Sequence, residues 1–148
     1  MRDETCSRET PAKRRILIVD AHPLVRRGLT ALIDNEPDLV VCAAAATPGA
    51  GLEAIASSRP DLVIADLSLE AGAGLAMVKD IRSHDAEMPV LVLSMHDAPR
   101  YAERAFRAGA GGYVLKQEMS ETLLVAIRRV LSGQKFVSTQ IGIGLDTT

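Results

Sequence analysis

The sequence predicts an α/β protein, a doubly wound parallel sheet in which five strands alternate with five helices. Short unbroken apolar runs, Ile16-Leu17-Ile18-Val19, Leu62-Val63-Ile64-Ala65 and Val90-Leu91-Val92-Leu93, are bounded by polar or turn residues, as suits strands buried on both faces. Between these runs, apolar residues recur at helical spacing. The 148 residues are also enough for one core, burying about two thirds of the unfolded surface without disulfides or metal staples.

Taken in order, residues 1–13 are polar and aperiodic and read as a disordered leader. A first strand over about 15–20 passes through Ala21-His22-Pro23 into a helix with Val25, Leu29, Leu32 and Ile33 on one face. Pro23 stands in the first turn, where its missing N–H costs nothing, and Pro37 marks the helix end. Leu39 to Ala43 form strand two. Thr47-Pro48 opens a second helix with Leu52, Ile55 and Ala56 inward, closed by Ser58-Arg59-Pro60 before the central strand. A loop from Leu67 to Gly74 precedes a third helix with Leu75, Val78 and Ile81 inward. Pro89 introduces strand four. Asp97 is read as the cap of a fourth helix carrying Ala102, Ala105 and Phe106, with Gly109 as the left-handed residue beyond its end. Gly111-Gly112 leads into strand five, and Ser120 is read as the cap of a last helix striped by Leu123, Ile127, Val130 and Leu131 and stopped at Gly133. Residues 134–148, with no period, read as a linker or tail.

Composition excludes several classes. A net charge of −2 leaves no electrostatic footprint for DNA or anionic membrane. No apolar run approaches a membrane span, and no cleavable signal region opens the chain. Cys6 and Cys42 have no metal-ligand spacing, and Cys42 lacks the flanking Lys, Arg or His that would activate it. A reducing cytoplasm is the expected compartment.

The chemistry lies at the strand ends. Asp20, Asp66, Ser94 and Lys116 each follow an apolar run, and the carboxyl edge of a parallel sheet is where ligands bind. Taken singly, each aspartate could be a turn former; together, two carboxylates, a hydroxyl and an ammonium on one rim form a candidate site. Rival motifs are weaker. Gly49-Ala50-Gly51-Leu52-Glu53-Ala54 approaches a dinucleotide fingerprint but follows strand two, not strand one. His22 reads as a loop or cap residue, and His84 and His96 lack metal spacing. The pairs Arg26-Arg27 and Arg128-Arg129 read as solvated helix faces. No Walker phosphate loop, nucleophile elbow or Asp-x-Asp pair points to an enzyme.

Four stretches carry a family likeness: Ile16 to Gly28, Arg59 to Ser68, Val90 to His96 and Tyr101 to Lys116. Across 14–133 the chain resembles the receiver domain of two-component response regulators, most closely the NarL/FixJ type with LuxR-type output. The resemblance implies a flavodoxin-like (βα)5 sheet in the order 2-1-3-4-5. It implies Asp66 as phosphoacceptor from a sensor histidine kinase, Lys116 as phosphoryl contact, Ser94 as switch hydroxyl and Tyr113 as switch aromatic. It further implies Mg²⁺ held by Asp20, Asp66 and the Ser68 backbone carbonyl, and a possible homodimer. DNA would be reached only through an output domain absent from this chain.

Two departures stand out. Ala21 occupies the place of a second, metal-binding acid, and Glu70-Ala71 replaces a Pro-Gly pair in the loop after Asp66. Glu70 reads first as a solvated loop residue and second as a substitute carboxylate. The first departure sets up a rival reading, a phosphorylation-independent pseudo-receiver of the same fold. A nucleotide-binding enzyme is the remote alternative.

Overall fold

The computed structural model describes residues 12–67 and 73–138. Its strands are β1 (Arg14–Val19), β2 (Leu39–Ala45), β3 (Leu62–Asp66), β4 (Val90–Ser94), β5 (Gly112–Leu115) and β6 (Phe136–Val137). Its helices are α1 (Pro23–Asp34), α2 (Pro48–Ser58), α3 (Ala73–His84), α4 (Pro99–Ala108) and α5 (Met119–Leu131), the last entered through a 3₁₀ turn at Lys116–Glu118. The sheet runs β2-β1-β3-β4-β5-β6 with every neighbouring pair parallel.

Strand alternation divides the core in two. Ile16, Ile18, Leu62, Ile64, Leu91, Leu93 and Val114 face Leu29 and Ile33 of α1 and Leu123, Ile127 and Val130 of α5. Leu17, Val19, Val63, Ala65, Val90, Val92 and Tyr113 face the other way, against α2, α3 and α4. All residues of β3 and β4 are buried, as unbroken apolar runs require, and each large aliphatic side chain so covered contributes about 1.5–3 kcal/mol. Because the strands all run parallel, the carboxyl ends of β1, β3, β4 and β5 lie along one rim, with the order reversing between β1 and β3.

The sheet departs from the expected five strands. Within the segment read as a linker or tail, Phe136–Val137 pairs in parallel with Gly112–Tyr113 and covers the outer edge of β5. Ser138 extends the cover: its N–H donates to the Tyr113 carbonyl (3.0 Å), and its buried hydroxyl accepts from the Leu115 N–H (2.8 Å). Two residues are too few to show a period, so pairing with β5, not local pattern, defines this strand.

Three of the five helix starts follow a single rule. Pro23, Pro48 and Pro99 each stand in the first turn, so His22, Thr47 and Ala98 are the caps. Thr47 caps as expected, its hydroxyl accepting from the Ala50 N–H at 3.1 Å. Asp97 is not the cap of α4, because Pro99 fixes Ala98 in that place. Ser120 is not the cap of α5 either: the 3₁₀ turn runs directly into the helix, and Glu118 precedes it. Gly109 adopts the expected left-handed conformation (φ 116°), and Arg59 (φ 50°) closes α2 the same way. The third helix begins two residues earlier than read, at Ala73. Gly74 is indispensable there, since a Cβ would lie 2.6 Å from the Asp66 carbonyl oxygen.

Candidate functional site

Asp66 ends β3, fully buried, and Asp20 lies one residue past β1, 1% exposed. Lys116, the first residue after β5, reaches back between them: its Nζ is 3.1 Å from Asp66 Oδ1 and 3.3 Å from Asp20 Oδ2. Two carboxylates and one ammonium leave an excess negative charge in a place with little water. Such an arrangement is costly unless a further cation or donor joins it. Among the described residues, Asp20 Oδ2, although buried, accepts no hydrogen bond and has the Lys116 ammonium as its charged neighbour. The main chain holds the aspartates in place. The Asp20 N–H donates to the Ala45 carbonyl (3.0 Å), and the Arg26 guanidinium donates to the Asp20 carbonyl (2.7 Å).

Ser94 ends β4, buried, in register with Leu115, while Asp66 pairs with Leu93. Its Oγ accepts from the His96 N–H at 3.0 Å, which leaves the hydroxyl proton able to donate. Tyr113, on β5, points into the same face of the sheet as Val92 and is wholly buried. Its hydroxyl donates to the His96 carbonyl at 2.8 Å. Burial pushes the Tyr113 phenol above its ordinary range, and hydrogen bonding with Ser94 opposes that rise only in part. Ser94 and Tyr113 thus grip the two sides of one residue, His96, whose ring stacks on Tyr101 of α4 at 4.3 Å between centroids. The sequence named Ser94 and Tyr113. It gave no sign of the His96 backbone between them.

His22, read as a loop or cap residue, also borders the acidic pocket. It is the α1 cap, as read, but its side chain makes no capping bond. Instead Asp20 Oδ1 accepts from the His22 N–H (2.8 Å) and lies 3.0 Å from His22 Nδ1, which is 3.9 Å from Asp66 Oδ2. Asp20, His22 and Asp66 could together hold a metal ion. The signal was present in Asp-x-His-Pro: an aspartate that accepts from the N–H two residues on folds that residue back over itself. Ser68 and Glu70 lie outside the described residues. Gly51 of the dinucleotide-like stretch sits inside α2, where a Cβ would come within 2.8 Å of Val19; its smallness serves helix-to-sheet packing. Burial pushes the Cys42 thiol up, against nucleophilic use.

Residues 16–128 match the family described as the response regulator receiver domain. The chain is 34% identical over 132 residues to the oxygen regulatory protein NreC of Staphylococcus haemolyticus, covering 88% of this chain and 61% of NreC. It is 32% identical over 129 residues to a nitrate/nitrite response regulator protein homolog of Haemophilus influenzae, covering 87% of this chain and 62% of that protein. The chain therefore spans less than two thirds of the length of these relatives. Among solved structures, a LuxR-family two-component response regulator from Aurantimonas sp. SI85-9A1 superposes with a TM-score of 0.85 at 36% identity, covering 89% of this chain and 94% of that one. A buried aspartate pair clasped by the lysine beyond the last long strand, on this sheet and with these relatives, makes the chain a member of the response regulator receiver domain family, of the NarL/LuxR type.

Proposed function

We propose that the chain receives a phosphoryl group on Asp66 from a sensor histidine kinase and so switches a surface that controls an output. The observation that carries this reading is the Lys116 ammonium held between two buried carboxylates. A carboxylate oxygen of Asp66 attacks phosphorus, the new O–P bond forming as the N–P bond of the donor phosphohistidine breaks. The departing imidazole takes its proton from solvent. The product acyl phosphate is labile, which suits a signal that must decay. Lys116, already held between the aspartates, meets one phosphoryl oxygen, and Ser94 donates to another.

The donors present suit a divalent cation: Asp20 Oδ2 is a buried oxygen without a hydrogen bond, and Asp66 stands on the opposite side of the same ammonium. Mg²⁺ is commonly held by one or two carboxylates, with waters and phosphate completing the shell. When bound it would neutralise phosphoryl charge; Asp20, Asp66 and the Ser68 carbonyl are its proposed ligands. On phosphorylation, a Ser94 drawn toward the phosphoryl group pulls on His96, and Tyr113 holds the other side of that residue. The strand four to strand five face thereby has two arrangements. The regulated output is proposed to be transcription through a separate DNA-binding domain, with a second copy of the chain as a possible partner.

The test is intact mass after incubation with acetyl phosphate and Mg²⁺. The wild-type chain gains one phosphoryl group and Asp66→Asn gains none. A wild-type chain that gains nothing, and shows no response to beryllofluoride, leaves only the pseudo-receiver that Ala21 suggests.

A further inference from the structure

At the rim, the side chain next to Asp20 offers no oxygen: Ala21 is exposed and its methyl group carries no donor. The neighbouring imidazole stands over the pocket instead. His22 Nδ1 lies 3.0 Å from Asp20 Oδ1 and 3.9 Å from Asp66 Oδ2, and the three ligand atoms fall within 4.8 Å of one another. His22 Nδ1 is at hydrogen-bond distance from Asp20 Oδ1, so the imidazole edge already faces the carboxylate beside which an ion would sit. Beside them, Asp20 Oδ2 is buried without a hydrogen bond. The pocket therefore carries more negative charge than Lys116 neutralises, and its outermost donor is a nitrogen.

We propose that His22, with Asp20 and Asp66, completes a mixed nitrogen and oxygen site, so that this receiver takes an imidazole-binding divalent ion of the Co²⁺ or Zn²⁺ class in preference to Mg²⁺. Mg²⁺ is a hard ion that keeps oxygen ligands, whereas imidazole suits the later first-row ions. Carboxylate pockets already favour those ions somewhat, so the content of the proposal is the part of the preference that His22 supplies. The inference rests on the same pocket as the phosphoacceptor reading but not on phosphoryl transfer itself.

The experiment is calorimetric titration of the full chain with Co²⁺ alone and with Mg²⁺ alone, without phosphodonor, and the visible spectrum of the Co²⁺ form. His22 is 60% exposed and its side chain makes no capping bond, so His22→Ala and His22→Gln retain the fold, checked by thermal unfolding. Both variants bind Co²⁺ about tenfold more weakly or worse, the low end of what even an outer partner's loss costs, with a changed spectrum and unchanged Mg²⁺ affinity. Ala21→Asp strengthens Mg²⁺ binding and narrows the Co²⁺ to Mg²⁺ ratio. The proposal is overturned if His22→Ala leaves Co²⁺ affinity and spectrum unchanged, or if it weakens Co²⁺ and Mg²⁺ alike, which would mean only a disturbed turn. Ion binding that behaves as expected beside a failed mass gain would instead remove the phosphoacceptor reading and keep this one.

Discussion

Lys116 is where removal of a single atom group has the clearest consequence. Lys116→Met keeps much of the side chain's bulk but strands two buried carboxylates without their cation. The expected loss is about 3–5 kcal/mol of folding stability, measured by urea unfolding. Asp66→Asn works in the opposite sense, relieving the excess charge around one ammonium, and should raise stability by roughly 1 kcal/mol, as functional sites held against stability commonly do. Equal losses from both variants would contradict the charge balance described for the pocket. Tyr113 gives a pH dependence. Its folded-state phenol titrates above the ordinary value of 10.0, chiefly through burial. The unfolded chain therefore ionises first: the contribution is complete below pH about 10 and is lost as pH rises through the folded value. Tyr113→Phe loses the bond to His96, about 1 kcal/mol at neutral pH, and shows a shallower alkaline decline in the urea midpoint.

Individual elements differ in how plainly the sequence announces them. The runs at Ile16 to Val19, Leu62 to Ala65 and Val90 to Leu93 are legible because a strand covered on both faces has no polar side to disguise it. Helix starts at Pro23 and Pro48 are equally plain. Asp97 and Ser120 misled because a capping side chain competes with stronger local constraints: the fixed φ of Pro99 in one case, and a 3₁₀ turn already wound in the other. The short strand β6 could not be read locally, since its partner lies more than twenty residues away. Ser138 is the residue that fastens it. Ser138→Ala leaves the buried Leu115 N–H without its acceptor, and the expected destabilisation is about 1–3 kcal/mol, with faster hydrogen exchange confined to 112–118 and 136–138. Exchange that quickens evenly across the sheet would argue against β6 as a separate flap.

For the molecule as a whole, the site was more legible than its wiring. Asp20, Asp66 and Lys116 meet as their strand-end positions require, because parallel strands deliver their carboxyl ends to one rim whatever the loops do. The contacts that join this rim to the rest pair side chains with main-chain groups, Tyr113 with the His96 carbonyl and Ser138 with the Leu115 N–H, and a backbone partner has no sequence signature. These contacts set the reach of the switch. Beryllofluoride with a divalent ion should change hydrogen exchange at 94–98, 113–118 and 136–138 while leaving α1, α2 and the β1 to β2 pairing unchanged. Protection confined to residues 20–22 and 66 would show a pocket that binds without switching.

The direction of β6 has a consequence for anything joined to this domain. An antiparallel edge strand would send the polypeptide back toward the opposite side of the sheet. Phe136–Val137 instead travels with β5, and at Ser138 the side-chain hydroxyl reaches forward to the Leu115 N–H, the residue before Lys116. Ser138 is therefore moored at the same end of the sheet as the pocket, and the lysine that clasps the aspartates is next in sequence to the residue whose amide secures the mooring.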